Sequence, residues 1–214
     1  MPPVAIVGLG NPGSQYIGTR HNVGFWFLDE VARSLSVSWR DKARYHASVA
    51  QVQAWGKKLV LVKPTTFMNS SGAFLGALLN YHQCPVSEMI LAHDDVAFPV
   101  GQLKVSRNRG NGGHNGVADV IGAIGSNFIR FRLGVGQKKD TRMDLTDHVL
   151  GRLTSEETKA LEQNLDFLLA SLRELVDKGC ALAMNSINHL LKAQNNPTHD
   201  QKKLQGDDGS RSQE

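Results

Sequence analysis

Several short apolar runs in this chain have the length and composition of buried β-strands. Val4–Val7 ends in glycines, and Met89–Ala92 ends at a cluster of polar residues. Residues 103–105 and 131–135 form two further runs of this kind. The first two runs are predicted to be buried strands, and the other two are further strand candidates.

Between Ala47 and Gln53 apolar and polar residues alternate, which is typical of a strand with one buried face. A second apolar run at residues 59–62 follows across Trp55-Gly56-Lys57. Two β-type runs separated by a short glycine-containing segment predict a hairpin.

Helical spacing occurs in three regions. Leu28 to Leu35 places apolar residues at i, i+3, i+4 and i+7, with Asn22 as a possible N-cap. A second helical pattern runs from about residue 67 to 81. A capping box at Thr154–Glu157 precedes a long helix that carries leucines from 161 to 175, and Gly179 should end it before a last helix reaching about residue 191.

Strands and helices interleave, so the chain is predicted to be an α/β protein: one domain at residues 1–192, with a mixed, twisted sheet flanked by helices. Residues 193–214 consist almost entirely of polar residues and glycine, and we expect a disordered tail there.

Composition excludes several classes of protein. Of 214 residues, 41% are hydrophobic, but no apolar run approaches the roughly 20 residues that span a bilayer. The N-terminus has neither the basic nor the apolar region of a secretory signal. The two cysteines, Cys84 and Cys180, are far apart. We therefore expect a cytoplasmic protein without membrane association, disulfide framework or cysteine-based metal site.

Positive charge is concentrated in one part of the chain. Residues 104–142 contain eight basic residues and two acidic ones, a net charge of +6 within a total of +4. The remainder carries −2. A solvated surface would explain an ordinary run of charges, but this confinement favours a polyanionic partner such as nucleic acid.

The segment Gly8-Leu9-Gly10-Asn11-Pro12-Gly13 matches the glycine pattern of dinucleotide-binding proteins. That fold also needs a helix opening in the loop and an acid at the end of a second strand. Residues 14–22 are a poor helix, and the acids at suitable distance, Asp29 and Glu30, lie inside the first amphipathic helix. The spacing alone does not indicate nucleotide binding.

Candidate chemistry lies in the polar segments. No serine-nucleophile elbow or metalloprotease motif occurs, and a lone cysteine such as Cys84 is more often buried packing. A metal bound by His93, Asp94, Asp95 and His114 is a minority interpretation, because neighbouring strand residues face opposite sides. A histidine paired with a carboxylate remains, and this pair suits direct attack by water. Chemistry alone does not choose among the eight histidines.

Five motifs, which follow one another in a defined order along the chain, decide among these histidines through a family resemblance. They are Gly8–Gly13, Thr19-Arg20-His21-Asn22-Val23-Gly24, Lys63–Gly72 with Thr65-Thr66-Phe67-Met68-Asn69 at its centre, His93-Asp94-Asp95, and Gly112-Gly113-His114-Asn115-Gly116. In this order they resemble the bacterial peptidyl-tRNA hydrolases from about Val4 to about Leu191.

The resemblance implies a single α/β domain that acts as a monomer on peptidyl-tRNA, without metal or cofactor. It implies His21 as the catalytic base and Asp94 as the residue that orients it. Other matching positions would surround the ester and the peptide: Asn11, Tyr16, Phe67, Met68, Asn69, His114 and Asn115. An asparagine amide suits this role because it donates and accepts hydrogen bonds as a peptide group does. For Asn69, helix capping is the alternative.

The basic positions depart from the family pattern at one point. Members often carry two lysines before the glycine-rich loop, whereas this chain has Lys104 and Ser106. Arg132 matches a further basic position thought to hold the tRNA end, and Arg107 or Arg109 would replace the missing lysine. The alternatives are a non-catalytic RNA-binding relative of the same fold and a metal-dependent hydrolase.

Overall fold

A computed structural model describes residues 2–138, 140 and 142–195, with side chains as far as residue 188. Within these residues seven strands form one sheet in the order β2-β3-β4-β1-β5-β7-β6. The strands are β1 (Val4–Gly8), β2 (Arg40–Lys42), β3 (Ala47–Ala54), β4 (Lys57–Pro64), β5 (Ile90–Asp95), β6 (Leu103–Arg107) and β7 (Ile129–Gly134). The four central strands β4, β1, β5 and β7 are parallel, and the other three are antiparallel to their neighbours. The predicted mixed sheet and hairpin are confirmed.

Seven α-helices in the described part of the chain cover both faces of the sheet. They are α1 (Val23–Ser34), α2 (Leu75–Tyr81), α3 (Asn115–Ile124), α4 (Leu145–Leu150), α5 (Ser155–Gln163), α6 (Leu165–Lys178) and α7 (Cys180–Asn195). Alternate residues of each central strand face opposite sides, so the sheet separates two hydrophobic clusters. One cluster includes α1, α6 and α7, with Phe27 and Phe131 stacked at 4.9 Å, and the other includes α2 and α3.

Two predicted helices are interrupted. The pattern at 67–81 becomes a 3-10 turn at Met68–Ser70 followed by α2, because the backbone N–H groups of Met68 and Gly72 donate to Asn11 and Asp119 instead of continuing a helix. The long helix after the capping box divides at Asn164, whose side chain donates to the Ala160 carbonyl. An asparagine side chain competes with backbone hydrogen bonds in this way. The capping box and the break at Gly179 are confirmed.

The C-terminal helix α7 continues to Asn195 and therefore passes the predicted boundary at residue 192. Disorder was predicted for residues 193–214, of which residues 196–214 lie outside the described part of the chain. No helix among the described residues is long and apolar enough to cross a membrane.

Glycines at the start of α1 bring this helix against the ends of β1 and β5. A Cβ atom on Gly24 would lie 2.5 Å from the Leu9 carbonyl oxygen and 2.6 Å from that of Ala92. A Cβ on Gly8 would lie 2.4 Å from the Gly24 oxygen. These contacts leave no room for a side chain. Gly8 and Gly24 thus allow α1 to pack closely against the strands. This packing places the residues before α1 beside the end of β5.

Candidate active site

A cavity of about 500 Å³ opens where β1 and β5 end. This is the edge at which open α/β sheets usually place their active sites. Its lining includes eight of the predicted site residues: Asn11, His21, Phe67, Met68, Asn69, Asp94, His114 and Asn115. Motifs that are more than 100 residues apart in the chain therefore meet at one place.

Asp94, near the end of β5, joins two imidazoles. Its Oδ1 atom lies 2.9 Å from His21 Nδ1 and 2.9 Å from His114 Nε2. All three side chains are largely buried, and the two rings lie 4.9 Å apart. The predicted pair of His21 and Asp94 is present, and His114 joins it as a third member.

The hydrogen bonds define the tautomer of each ring. A carboxylate accepts, so His21 Nδ1 carries the proton and Nε2 keeps its lone pair. His114 Nδ1 accepts the backbone N–H of Val117 at 3.2 Å, so its proton is on Nε2, which donates to Asp94. No hydrogen bond from His21 Nε2 to another protein atom occurs within the described residues. His21 thus presents an acceptor in a cavity wall, as a general base requires.

The charge of Asp94 is maintained by its neighbours. Burial alone would raise the pKa of this carboxyl, but electrostatic attraction and a hydrogen bond from His114, followed by the hydrogen bond and attraction of His21, bring the pKa well below its usual range. Asp94 is therefore ionised at neutral pH, and its negative charge favours an imidazolium on His21.

His93 lies beneath this cluster and is fully buried. Its Nε2 accepts from Arg130 Nε at 3.1 Å, so Nδ1 carries the proton and donates to the Asp94 carbonyl oxygen. Burial, His114 and Arg130 hold the pKa of His93 well below its ordinary value. His93 is a neutral residue that supports the backbone of Asp94. Arg130 also donates to the Gly110 carbonyl and so ties β7 to the loop that carries His114.

Asn11 is held by two groups. Asn22 Oδ1 accepts the Asn11 backbone N–H at 2.8 Å, and Asn22 Nδ2 donates to the Asn11 carbonyl at 2.9 Å. Asn11 Oδ1 accepts the Met68 N–H at 2.8 Å, so its Nδ2 remains as a donor at the cavity wall. Asn22 is the N-cap residue of α1, as the sequence predicted, but its side chain makes no capping hydrogen bond, because both of its polar atoms bind Asn11.

The other predicted substrate residues are divided between wall and rim. Asn69 and Asn115 are exposed and line the cavity, and the N-cap of α2 is Phe74, so Asn69 is not a capping residue. Phe67 is 58% exposed and packs edge-to-face with Tyr16 at 6.5 Å. Tyr16 itself lies behind Phe67 and outside the cavity lining.

The basic candidates lie on or next to β6 and β7. Lys104 and Arg132 are cross-strand partners, as are Ser106 and Arg130, so all four share one face of the sheet. Arg132 Nε donates to Asp95 Oδ2 at 2.7 Å, and its guanidinium lies over Phe98. Ser106 Oγ is buried and has no hydrogen-bond partner among the described residues.

The two arginines offered as replacements for the missing lysine differ. Arg107 donates to Asn127 Oδ1 at 3.2 Å, whereas Arg109 is exposed in the loop after β6. Neither lines the cavity. In the described part of the chain no ion pair involves Lys104, Arg107 or Arg109.

Sequence reasoning missed the support of the site. Arg20 forms an ion pair with Glu157 at 2.6 Å and donates to the Arg152 carbonyl, which fixes the turn that carries His21 to the start of α5. The helix α4, which closes one side of the cavity with Leu145, Thr146, Val149 and Leu150, was not predicted either. Arg20 itself stands in the Arg20-His21-Asn22 motif, but no sequence pattern indicates Glu157 as its partner. A six-residue helix has too little periodicity to be found.

His21, Asp94 and His114 bring three potential metal-ligand atoms within 4.8 Å of one another. The hydrogen bonds argue against a metal centre, since His114 Nε2 is protonated while Nδ1 accepts from Val117. A metal bound at Nε2 would need a lone pair on that atom, which would move the proton of His114 to Nδ1. Nδ1 could then no longer accept from Val117, and the N-terminal cap of α3 would be lost. This cluster differs from the predicted minority set, since His93 has both ring nitrogens occupied. Cys84 is buried, and burial raises the pKa of its thiol to about 11, so it is not a nucleophile.

Fold and site together define a class of protein: an α/β protein with a histidine–carboxylate pair that can activate water at the edge of its sheet. A family model described as "Peptidyl-tRNA hydrolase" matches residues 5–197. Curated peptidyl-tRNA hydrolases from Marinobacter nauticus and Rickettsia bellii are each 40% identical, over 86% and 75% of this chain and 94% and 86% of their own length.

A crystal structure of peptidyl-tRNA hydrolase from Acinetobacter baumannii superposes with a TM-score of 0.81 at 34% identity, covering 86% of this chain and 94% of that one. The chain therefore belongs to the peptidyl-tRNA hydrolase family. The predicted family and fold class are confirmed.

Proposed function

We propose that this protein hydrolyses the ester bond between a peptide and the terminal ribose of tRNA, with His21 as general base. The observation that carries the proposal is the hydrogen bond between Asp94 and His21 Nδ1, which leaves Nε2 as an acceptor in the cavity. Membership of the peptidyl-tRNA hydrolase family supports this substrate.

In the proposed reaction His21 Nε2 takes a proton from water as the water oxygen attacks the ester carbonyl carbon. The tetrahedral intermediate then collapses, and the bond between the carbonyl carbon and the ribose oxygen breaks. The proton on His21 passes to the ribose oxygen, which releases tRNA and a peptide carboxylic acid, and the acid then loses its remaining proton to solvent. Asp94 stabilises the imidazolium between these two steps, and proton transfer of this kind contributes about 10²–10⁴ in rate.

Asn11 is assigned to the developing oxyanion. Its Oδ1 is occupied by the Met68 N–H, so its Nδ2 donates into the cavity from a position fixed by Asn22. A donor held in place before the reaction stabilises negative charge without reorganisation. Asn69 and Asn115 would bind the peptide backbone, Met68 and His114 would shape the cleft, and Phe67 with Tyr16 would pack against the peptide at the rim.

The tRNA would bind along the face of β6 and β7. Lys104 and Arg132 lie side by side on this face, and Arg107 and Arg109 follow at the end of β6. Phosphate contacts of this type position a nucleic acid and provide most of its affinity. As the family resemblance implies, we propose that the protein acts as a monomer. Because its substrate arises in translation, we propose the cytoplasm as its location.

The test is turnover of a purified peptidyl-tRNA, such as an N-acetylated aminoacyl-tRNA, in excess chelator. We expect release of the peptide at an undiminished rate. Tight binding of the substrate without turnover would indicate a non-catalytic RNA-binding protein instead. Loss of turnover that returns with added metal would indicate a metal-dependent hydrolase.

A further inference from the structure

Positive charge is not confined to residues 104–142, contrary to the prediction from the sequence: a second concentration, concealed by the net charge of −2 outside that stretch, lies at the edge of the sheet remote from β6. Residues 40–63 contain six lysines and arginines and one acid, Asp41, which accepts a hydrogen bond from Ser48. Lys63 is paired with Asp29. The net charge of +5 is close to that of residues 104–142, and the function proposed above uses none of it.

Exposed aromatic rings lie among these cations. Tyr81 at the end of α2 is 65% exposed and lies 5.6 Å from Tyr45, ring centre to ring centre. Phe74, just before α2, is 37% exposed and stacks on the exposed ring of His46 at 4.3 Å. The Arg44 guanidinium lies 5.7 Å from the centre of the Tyr45 ring. We call these four rings, with Lys42, Arg44 and Lys58, the basic aromatic face.

The cations are on the same side of the sheet as the rings. Lys42 is the cross-strand partner of Ala47, which is buried in the cluster beneath α2. Lys58 precedes Val60 of that cluster by two residues and so has the same orientation. His82, next to Tyr81, lies close enough to both lysines to be affected by them. Burial lowers the pKa of His82, and the charges of Lys58 and Lys42 lower it further.

The backbone holds the rings in place. His46 has a left-handed conformation (φ 42°), and its carbonyl accepts the Thr65 N–H at 2.7 Å. A small depression between Tyr45, His46 and Phe74 separates the two ring pairs. The segment from Thr65 to Phe74 borders this depression on one side and contributes Phe67, Met68 and Asn69 to the catalytic cavity on the other.

Partly exposed rings beside lysine and arginine side chains suit unpaired nucleic acid, because bases stack on aromatics while lysine and arginine contact phosphates. Neither a membrane surface nor a paired RNA stem would use the rings in this way. We propose that the basic aromatic face binds a single-stranded RNA segment. This RNA is separate from the substrate tRNA, because the face lies at the edge of the sheet remote from β6 and β7, where the function proposed above, on which this step rests, has the tRNA bind.

Fluorescence anisotropy of a labelled 12-nucleotide oligouridylate with the full chain tests this directly and needs no turnover. We expect Phe74→Ala combined with Tyr81→Ala to weaken binding roughly tenfold or more, since each stacked base contributes about 1–3 kcal/mol. Tyr81→Phe should retain affinity. Lys42→Glu with Lys58→Glu should weaken binding and lower the salt dependence by roughly one to two in log–log slope.

Matched controls lie on the opposite face of the sheet. Leu182→Ala removes an apolar side chain that is 70% exposed on α7, and Arg173→Glu reverses an exposed charge on α6. Both should bind the oligonucleotide as the wild type does. All variants should keep the wild-type unfolding midpoint and the wild-type turnover of a short ester substrate that lacks most of the tRNA.

Three outcomes would overturn the proposal: wild-type affinity in the alanine double variant, equal losses on a 12-base-pair duplex RNA, or binding of an unstructured peptide with none of the oligonucleotide. Saturating deacylated tRNA tests whether the oligonucleotide and the tRNA bind different faces. We expect a ternary complex of protein, oligonucleotide and tRNA. Displacement of the oligonucleotide by tRNA would overturn the proposal of a separate RNA. A failed hydrolysis assay would leave both binding results unaffected.

Discussion

The two ends of the reaction site are built in opposite ways. At the catalytic end Asp94, His21 and His114 are buried, and their hydrogen bonds determine where each proton lies. At the basic end, Lys104 and Arg109 extend from β6 and the loop after it without an ion pair among the described residues. One end is arranged for a reaction that tolerates little displacement, whereas the other supplies charge to a polyanion. Substitutions at the first should therefore change kcat, and substitutions at the second should change KM.

The largest effect is expected for His21→Ala. Loss of the base should lower kcat by about 10²–10⁴, while the affinity for deacylated tRNA stays within a few-fold, because the imidazole acts on water and not on phosphate. Single-turnover kinetics and filter binding measure the two quantities. A variant that retained about half of the wild-type rate would remove His21 from the role of base.

Asp94→Asn should preserve the fold and lower kcat by about 10²-fold, at the lower end of that range. The neutral amide cannot stabilise an imidazolium, although its carbonyl oxygen can take the position of Oδ1 that both rings contact. Asp177→Asn, at an exposed position on α6, is the matched control and should have full activity. If kcat and its pH profile were unchanged in Asp94→Asn, the carboxylate would have no part in the mechanism.

The sequence was a good guide to the catalytic end and a poorer one to what supports it. The sequence motifs predicted that His21, Asp94 and Asn11 share one site, because each residue lies in a short motif and the motifs follow the order seen in the family. The three residues line one cavity. The role of Asn22 could not be predicted, since its position before a helix favours capping, and only the folded loop brings it to the backbone of Asn11. The ion pair of Arg20 with Glu157 spans 137 positions in the chain, and no local pattern encodes it.

At the basic end two charge reversals sharpen the comparison. Lys104→Glu should raise KM for peptidyl-tRNA about tenfold and flatten its salt dependence, with kcat unchanged. Arg132→Glu should also lower kcat, because it removes the partner of Asp95, the residue next to Asp94. A short substrate lacking most of the tRNA should show only the kcat effect. Equal losses for Lys104→Glu on both substrates would mean that this lysine serves the chemistry or the fold.

The buried histidine beneath the cluster predicts how stability depends on pH. The pKa of His93 is lowered in the folded state, so below its ordinary value of 6.5 the unfolded chain binds the additional proton and stability falls as pH falls. The pKa of Asp94 is also lowered, but its stabilising contribution is lost only around and below pH 3.8, so pH 4.5–6.5 separates the two histidines with lowered pKa values, His93 and His82, from Asp94.

In that range His93→Gln should reduce the slope of unfolding free energy against pH by roughly 1 kcal/mol per pH unit at most. Urea unfolding at several pH values measures it. His82→Gln, at the second histidine with a lowered pKa, is the comparison and should give a smaller reduction. An identical slope for wild type and His93→Gln would show that this ring does not gain a proton on unfolding.

The smallest effect is expected at the C-terminus. Residues 196–214 carry three lysines and arginines against four acids, and Leu204 is their one large apolar residue. Such a segment offers RNA no net positive charge and cannot repay the entropy of ordering. Because α7 continues to Asn195, the deletion that tests this begins at residue 196 and leaves the helix complete. We expect the unfolding midpoint, kcat and KM to stay at wild-type values. If Lys202 and Lys203 instead contact tRNA, the truncated protein will bind it more weakly at moderate salt, and Lys202→Glu with Lys203→Glu in the full chain will reproduce that loss.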